Sequence, residues 1–143
     1  MIRAANFLLN LLINFIKNAS FFSLLVSTQT YATDVNWILI SNDEIAYVRF
    51  DINHVIKSGS KVNLWIMFDY KKEHKIKNIS YNSKFVHAII DCSSGRETDD
   101  SITYYSGIVG SGQKVFEEKL EESYPFHPQS ITQLLADKYC ISQ

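Results

Sequence analysis

The chain has two cysteines, Cys92 and Cys140, and four histidines, His54, His74, His87 and His127. These residue types hold metals and act as nucleophiles or bases, so their spacing decides which chemistry is open. No histidine sits in an HExxH motif, and none neighbours a cysteine. His87 and Asp91 share one face of a strand but stand roughly 13 Å apart along it, too far to chelate one ion. His87 reads as a half-buried sheet residue, and His127, between Phe126 and Pro128, as loop packing. Serines are frequent, yet there is no GxSxG elbow. The run Gly107-Ile108-Val109-Gly110-Ser111-Gly112 lacks the Lys-Ser/Thr that completes a phosphate loop. Glu117, Glu118, Glu121 and Glu122 surround Lys119 and read as a solvated edge, without the spacing of a calcium loop. No catalytic, cofactor-binding or metal-binding residue is assigned, which leaves an enzyme as the weaker alternative.

One charged cluster remains. Lys71, Lys72, His74, Lys75 and Lys77 are opposed only by Glu73. As a solvated loop it would aid solubility. As a docking site it would take an anionic partner, a sulfated polysaccharide or an acidic protein face.

The elements that position these residues follow from length and patterning. A chain of 143 residues is one domain's worth. With 46% hydrophobic and 20% charged residues it is globular, and a net charge of −1 argues against general nucleic-acid binding. The N-terminal stretch carries only Arg3 and Lys17 as charges before Asp34. Phe7–Ile16 and Ala19–Val26 are largely apolar, and Thr30 and Ala32 form a small-x-small pair. That is the layout of a secretory signal peptide over residues 1–32, cleaved after Ala32. The apolar run before Lys17 is too short for a transmembrane anchor, so the mature chain, 33–143, is not a membrane-spanning one. Losing Arg3 and Lys17 takes its net charge from −1 to −3. In an exported chain, two cysteines are expected to pair as one disulfide; a metal pair or a catalytic thiol is the alternative.

From Trp37 onward the pattern has period two. Ala46–Ile52, Val62–Tyr70 and Val86–Cys92 alternate, Trp37–Ile40 is a shorter first strand, and Ile102–Val109 and Gln113–Glu118 complete a set of six. Lys57–Ser60 and Gly110–Gly112 are turns, while Lys71–Asn82 and Ser93–Asp100 read as longer connections. Ser130 and Gln133 form a capping box, after which Ile131, Leu134, Leu135 and Lys138 share a helical face. Cys140 lies about 180° around an ideal helix from Ile131, so the helix is expected to end before it. The expected fold is α+β: a six-stranded antiparallel sheet with a C-terminal helix packed on one face.

An ordered set of residues carries a family resemblance. It comprises Trp37, Ser41, Tyr47, Asp51, Gly59, Val62-Asn63-Leu64-Trp65, Asp69-Tyr70, Asp91-Cys92, Tyr105, Gly112, Pro128-Gln129-Ser130 and Cys140. Over residues 34–140 the chain resembles the surface-adhesin protein E family. The resemblance implies a six-stranded sheet with a flanking helix, a Cys92–Cys140 bridge, and action by binding, including host matrix and plasma proteins. Two departures stand out: no lipid-anchor cysteine lies near Ala32, and Phe126 stands where the family often has Trp. The resulting expectation is an exported, periplasmic or cell-surface binding domain that engages proteins or anionic polymers, the latter through Lys71, Lys72, Lys75 and Lys77. The alternative is an accessory subunit of an envelope assembly, where a free apolar strand edge would serve strand addition or a homodimer.

Overall fold

The computed structural model describes residues 34–140. The expected leader and its cleavage point lie outside them. Among the described residues no helix is long and apolar enough to cross a membrane.

Eight strands form one antiparallel sheet: β1 (Trp37–Asn42), β2 (Ala46–Asp51), β3 (Ile56–Ser58), β4 (Lys61–Ile76), β5 (Ile79–Asp91), β6 (Arg96–Tyr105), β7 (Lys114–Lys119) and β8 (Ser123–Pro125). The order is β1-β2-β4-β5-β6-β7. The expected count of six describes this path. It misses β3 and β8, which pair with β4 and β6 beyond the ends of β2 and β7. Each spans three residues, too few for a period-two pattern to declare itself.

The β4–β5 hairpin is the spine. Alternation puts Val62, Leu64 and Ile66 of β4 and Val86, Ala88 and Ile90 of β5 on one buried face, joined by Ala46, Val48, Phe50, Ile102 and Tyr104. The expected connection over Lys71–Asn82 is instead a continuation of both strands, closed by a two-residue turn at Lys77-Asn78. Both turn residues have positive φ, 47° and 66°, as a type I′ hairpin requires. The charged run Lys71–Lys75 hid the strand because it spans a break in register between Asp69 and His74 and its lysines are exposed, so no apolar alternation shows. The expected loop Ser93–Asp100 is likewise shorter, since β6 begins at Arg96. The strand expected over Ile102–Val109 stops at Tyr105, and Ile108–Gly110 form a 3-10 turn.

Helix α1 (Ile131–Tyr139) covers the buried face. Ser130 Oγ accepts from the Gln133 backbone N–H at 3.1 Å. The reciprocal half of the capping box does not form, because Gln133 Nε2 donates to Asp137 Oδ1 at 2.6 Å. The buried face of the helix is Thr132, Leu135 and Ala136, while Leu134 is exposed. The apolar stripe read from the sequence is therefore rotated, with Thr132 taken inward beside Glu97. The helix ends at Tyr139, and Cys140 turns back to bridge Cys92 with Cα atoms 5.4 Å apart.

Candidate functional site

The face of the sheet opposite α1 is built by the other phase of the same strands. Trp65 opposes His87 across β4 and β5, and Phe85 opposes both Met67 and Thr103. Trp37 on edge strand β1 reaches Phe85 at 5.2 Å between ring centroids, although β2 and β4 lie between their strands. The sheet is thus curled toward this face. Phe85 continues to Tyr105 at 5.1 Å. With Val35, Asp51, His54 and Thr103, these rings line a cleft of about 270 Å³.

Two imidazoles flank Trp65 and are held by carboxylates. Asp51 ends β2 and is buried. Its Oδ1 accepts from the backbone N–H groups of Asn36 and Asn53, both at 3.1 Å. Its Oδ2 faces His54 Nδ1. His87 stacks on Trp65 at 4.8 Å, with its Nδ1 3.1 Å from Asp100 Oδ2. A carboxylate only accepts, so each imidazole donates through Nδ1 and turns Nε2 away from its carboxylate.

The segment Ser106–Gln113 folds over one end of this face. Asp69 Oδ1 accepts from Val109 N–H at 3.0 Å, while Arg49 Nη1 reaches Asp69 Oδ2 at 3.3 Å. Ser83 Oγ donates to Gly107 O at 2.7 Å and accepts from Gly110 N–H at 2.9 Å. These anchors hold Val109 at φ 54°, a costly conformation for a β-branched residue. Gly110 rests on Phe85: a Cβ there would lie 2.3 Å from Phe85 Cζ.

The helix-covered face carries a polar group of its own, around a cleft of about 230 Å³ lined in part by Lys84, Glu97, Asp99, Tyr124 and Thr132. Burial pushes the Lys84 ammonium below its usual range, against the pull of Asp99 and Glu118. Its Nζ lies 4.7 Å over Phe68. Burial also raises Glu97, against a hydrogen bond from Thr132. Tyr124 OH donates to Asp99 at 2.6 Å and Tyr104 OH to Glu118 at 2.7 Å; burial first, then these carboxylates, raise both phenols. These bonds tie β6 to β7, β8 and the start of α1.

The acidic run expected to be a solvated edge is therefore divided. Glu118 turns inward to Tyr104, while Glu117 faces outward to Lys114 at 2.9 Å. His127 is exposed, which corrects its reading as a packed loop residue. Among the described residues no group of three His, Cys, Asp or Glu side chains is placed to hold a metal ion.

The four lysines sit on the far end of the β4–β5 hairpin, Lys71, Lys72 and Lys75 in strand β4 and Lys77 in the turn that closes it. They are exposed, but two point apart. Lys71 Nζ donates to Asn42 Oδ1 at 2.8 Å and to Asp43 O, over the Tyr47 ring. Lys77 Nζ lies 4.6 Å over Phe116, on the other side of the sheet. Lys72 and Lys75 project from the strand between them.

Sequence reasoning passed over the aromatic cleft. A signal was present: Trp65 and Met67 occupy the supposedly solvated phase of β4, and Phe85 and Ile89 that of β5. Strands whose two phases both carry apolar residues are covered, wholly or partly, on both faces.

Similar folds occur among solved structures of Haemophilus influenzae protein E. One crystal form matches with a TM-score of 0.59 at 17% identity, covering 76% of this chain and 91% of that one. A second structure of that protein matches with a TM-score of 0.56 at 16% identity, covering 78% and 92%. Protein E from the non-typeable organism gives a TM-score of 0.54 at 17% identity, covering 76% and 78%. No curated protein sequence matches. The family model for surface-adhesin protein E matches residues 37–141, which takes in every described strand, helix α1 and both cysteines, and the chain belongs to that family.

Proposed function

We propose that this is an exported, adhesin-like binding protein of a bacterial envelope or surface, acting without catalysis on a protein or anionic polymer. Family membership and the leader-like residues 1–32 support export; N-terminal sequencing of the exported protein is expected to begin at Thr33. The observation that carries the binding mode is the β4–β5 hairpin, whose end presents Lys71, Lys72, Lys75 and Lys77 on a domain with a net charge of −3. Pairing of β4 with β5, which resumes at His74–Tyr81 after a break in register, supports that positive end on two strands.

The test is binding to a heparin-like polymer and to matrix protein at two salt concentrations. Wild type is expected to bind and to weaken steeply with salt, because the Debye length is about 8 Å at physiological strength. Replacing the four lysines by Gln should slow association more than it speeds dissociation. Equal, salt-independent binding by both proteins would reduce the hairpin to a solubilising feature.

A second reading rests on β1. Its outer edge is unpaired among the described strands, the strand carries no charge, and Ile38 and Leu39 are exposed. An edge of this kind accepts an added strand, from an envelope partner or a second copy. An Ile38→Lys change would abolish such pairing while leaving heparin binding intact.

A further inference from the structure

The chain has two tryptophans, Trp37 and Trp65, and both line the same cleft on the face opposite α1. We infer that this cleft is a binding site for one pyranose ring of a saccharide, stacked on the aromatic wall and held by a hydroxyl hydrogen bond to His54. The inference is independent of the basic hairpin, since none of the four lysines lines the cleft.

Three features select this ligand class. The walls are flat and apolar: Trp37, Trp65, Phe85 and Tyr105 are all half-buried, so each ring has surface to offer. An aromatic face carries a negative quadrupole and attracts the polarised C–H bonds on the apolar side of a sugar ring. The polar groups that line the cleft beside these rings are Asp51, His54 and Thr103. His54 is oriented by Asp51 through Nδ1, which leaves its Nε2 to bond a hydroxyl, a group that is both donor and acceptor. A polyol ring supplies such hydroxyls at its equator and an apolar surface at its face. The volume, about 270 Å³, falls just below the usual range of drug-sized sites and suits a single ring rather than an extended ligand.

Other occupants fit less well. An anion would meet the carboxylate of Asp51. A cation would find both Asp51 oxygens already engaged, by two backbone N–H groups and by His54. The site is also built to hold its shape. Ser83 and Asp69 pin the segment that leans on Phe85. Asp51 is buried and ties its imidazole to the start of β1.

The two tryptophans make intrinsic fluorescence a direct report on the cleft. The probes are methyl glycosides of common hexoses and N-acetylhexosamines, and short oligosaccharides built from them, titrated into the exported full-length mature protein. A saturable shift in tryptophan emission is expected for at least one glycoside. Trp65→Ala should weaken that binding roughly tenfold, the loss of one stacking wall. His54→Phe, which keeps a ring but removes Nε2, should weaken it while circular dichroism and thermal melting confirm the fold. The quadruple lysine variant should bind the glycoside as wild type does. No emission change with any glycoside would overturn the inference, as would a change insensitive to both Trp65→Ala and His54→Phe. Saturable, Trp65-dependent binding of a tryptophan- or tyrosine-containing peptide without any glycoside binding would also overturn it, in favour of a protein anchor pocket.

Discussion

The Cys92–Cys140 bridge is the element whose removal has the most calculable effect. It joins the end of β5 to the end of α1, 48 positions apart, and the closed loop contains β6, β7, β8 and the helix. In the chain-entropy account a loop of this length lowers the freedom of the unfolded chain by about 4 kcal/mol at 25 °C. The folded side depends on it too. Helix α1 has nine residues, fewer than the roughly 12–15 at which isolated helices become even marginal, and buries only Thr132, Leu135 and Ala136 fully. Backbone bonds at both ends survive loss of the sulfurs: Cys92 N–H donates to Ser60 O at 2.8 Å and Cys140 N–H to Ala136 O at 2.7 Å. The double variant Cys92→Ala/Cys140→Ala should therefore fold, with its stability lowered by about 4 kcal/mol, a large part of the roughly 5–15 kcal/mol of a typical domain. The corresponding fall in melting temperature is about 15 °C. Equilibrium denaturation in urea measures the first and calorimetry the second, and amide exchange in α1 should accelerate more than in β4. A loss under about 1 kcal/mol, or native protein whose thiols react freely with an alkylating reagent, would refute this reasoning.

Two further outcomes follow from local geometry. Gly110→Ala should destabilise by about 2 kcal/mol in urea denaturation, because its Cβ meets Phe85 and its φ is positive; Gly95→Ala has the same positive φ with open space around it, and an equal cost for both would show the Phe85 contact to be unimportant. Asp91 accepts from the Ser93 N–H and hydroxyl, which lowers its pKa from 3.8 to about 2. The folded value is the depressed one, so its contribution is present above about pH 3.8 and is lost as pH falls toward 2. Asp91→Asn should accordingly narrow its stability gap from wild type over that window, and a gap that is the same at pH 2 and pH 7 would contradict the assignment.

What the sequence revealed and what it hid have a common cause. Period-two alternation exposes a strand only where one phase is apolar, so β2 and the inner halves of β4 and β5 were legible. The outer half of β4, Lys71–Ile76, and the start of β6, Arg96–Asp99, have no such phase, because one spans a break in register with exposed lysines and the other faces a polar cluster. The N-cap at Ser130 was legible because capping is local chemistry, and the helix face was not, because Thr132 is buried by a tertiary partner, Glu97. The aromatic cleft escaped for a different reason. Trp37, Trp65, Phe85 and Tyr105 come from four strands, and only the curl of the sheet brings β1 within reach of β5.

The two faces of the sheet also differ in what they are free to do. On the α1 side, perturbed groups gather in the manner of an active site: Lys84 is lowered, Glu97 is raised, and a cleft lies between them. Yet each is matched by a neighbour, Lys84 by Asp99 and Glu118, and Glu97 by Thr132. The same side chains fasten β8 and the first turn of α1 to β6. Wide access to that cluster would require lifting a helix that the disulfide ties to β5, so the bridge opposes its use. On the opposite face no α-helix intervenes among the described residues, the Ser106–Gln113 segment covers only one end, and the rings around Trp65 are held in place from below by β4 and β5. A helix locked on one side lets the other side stay open without loss of the fold. Recognition by this domain is therefore expected on the open face, the basic hairpin end and the β1 edge, all of which the scaffold leaves exposed.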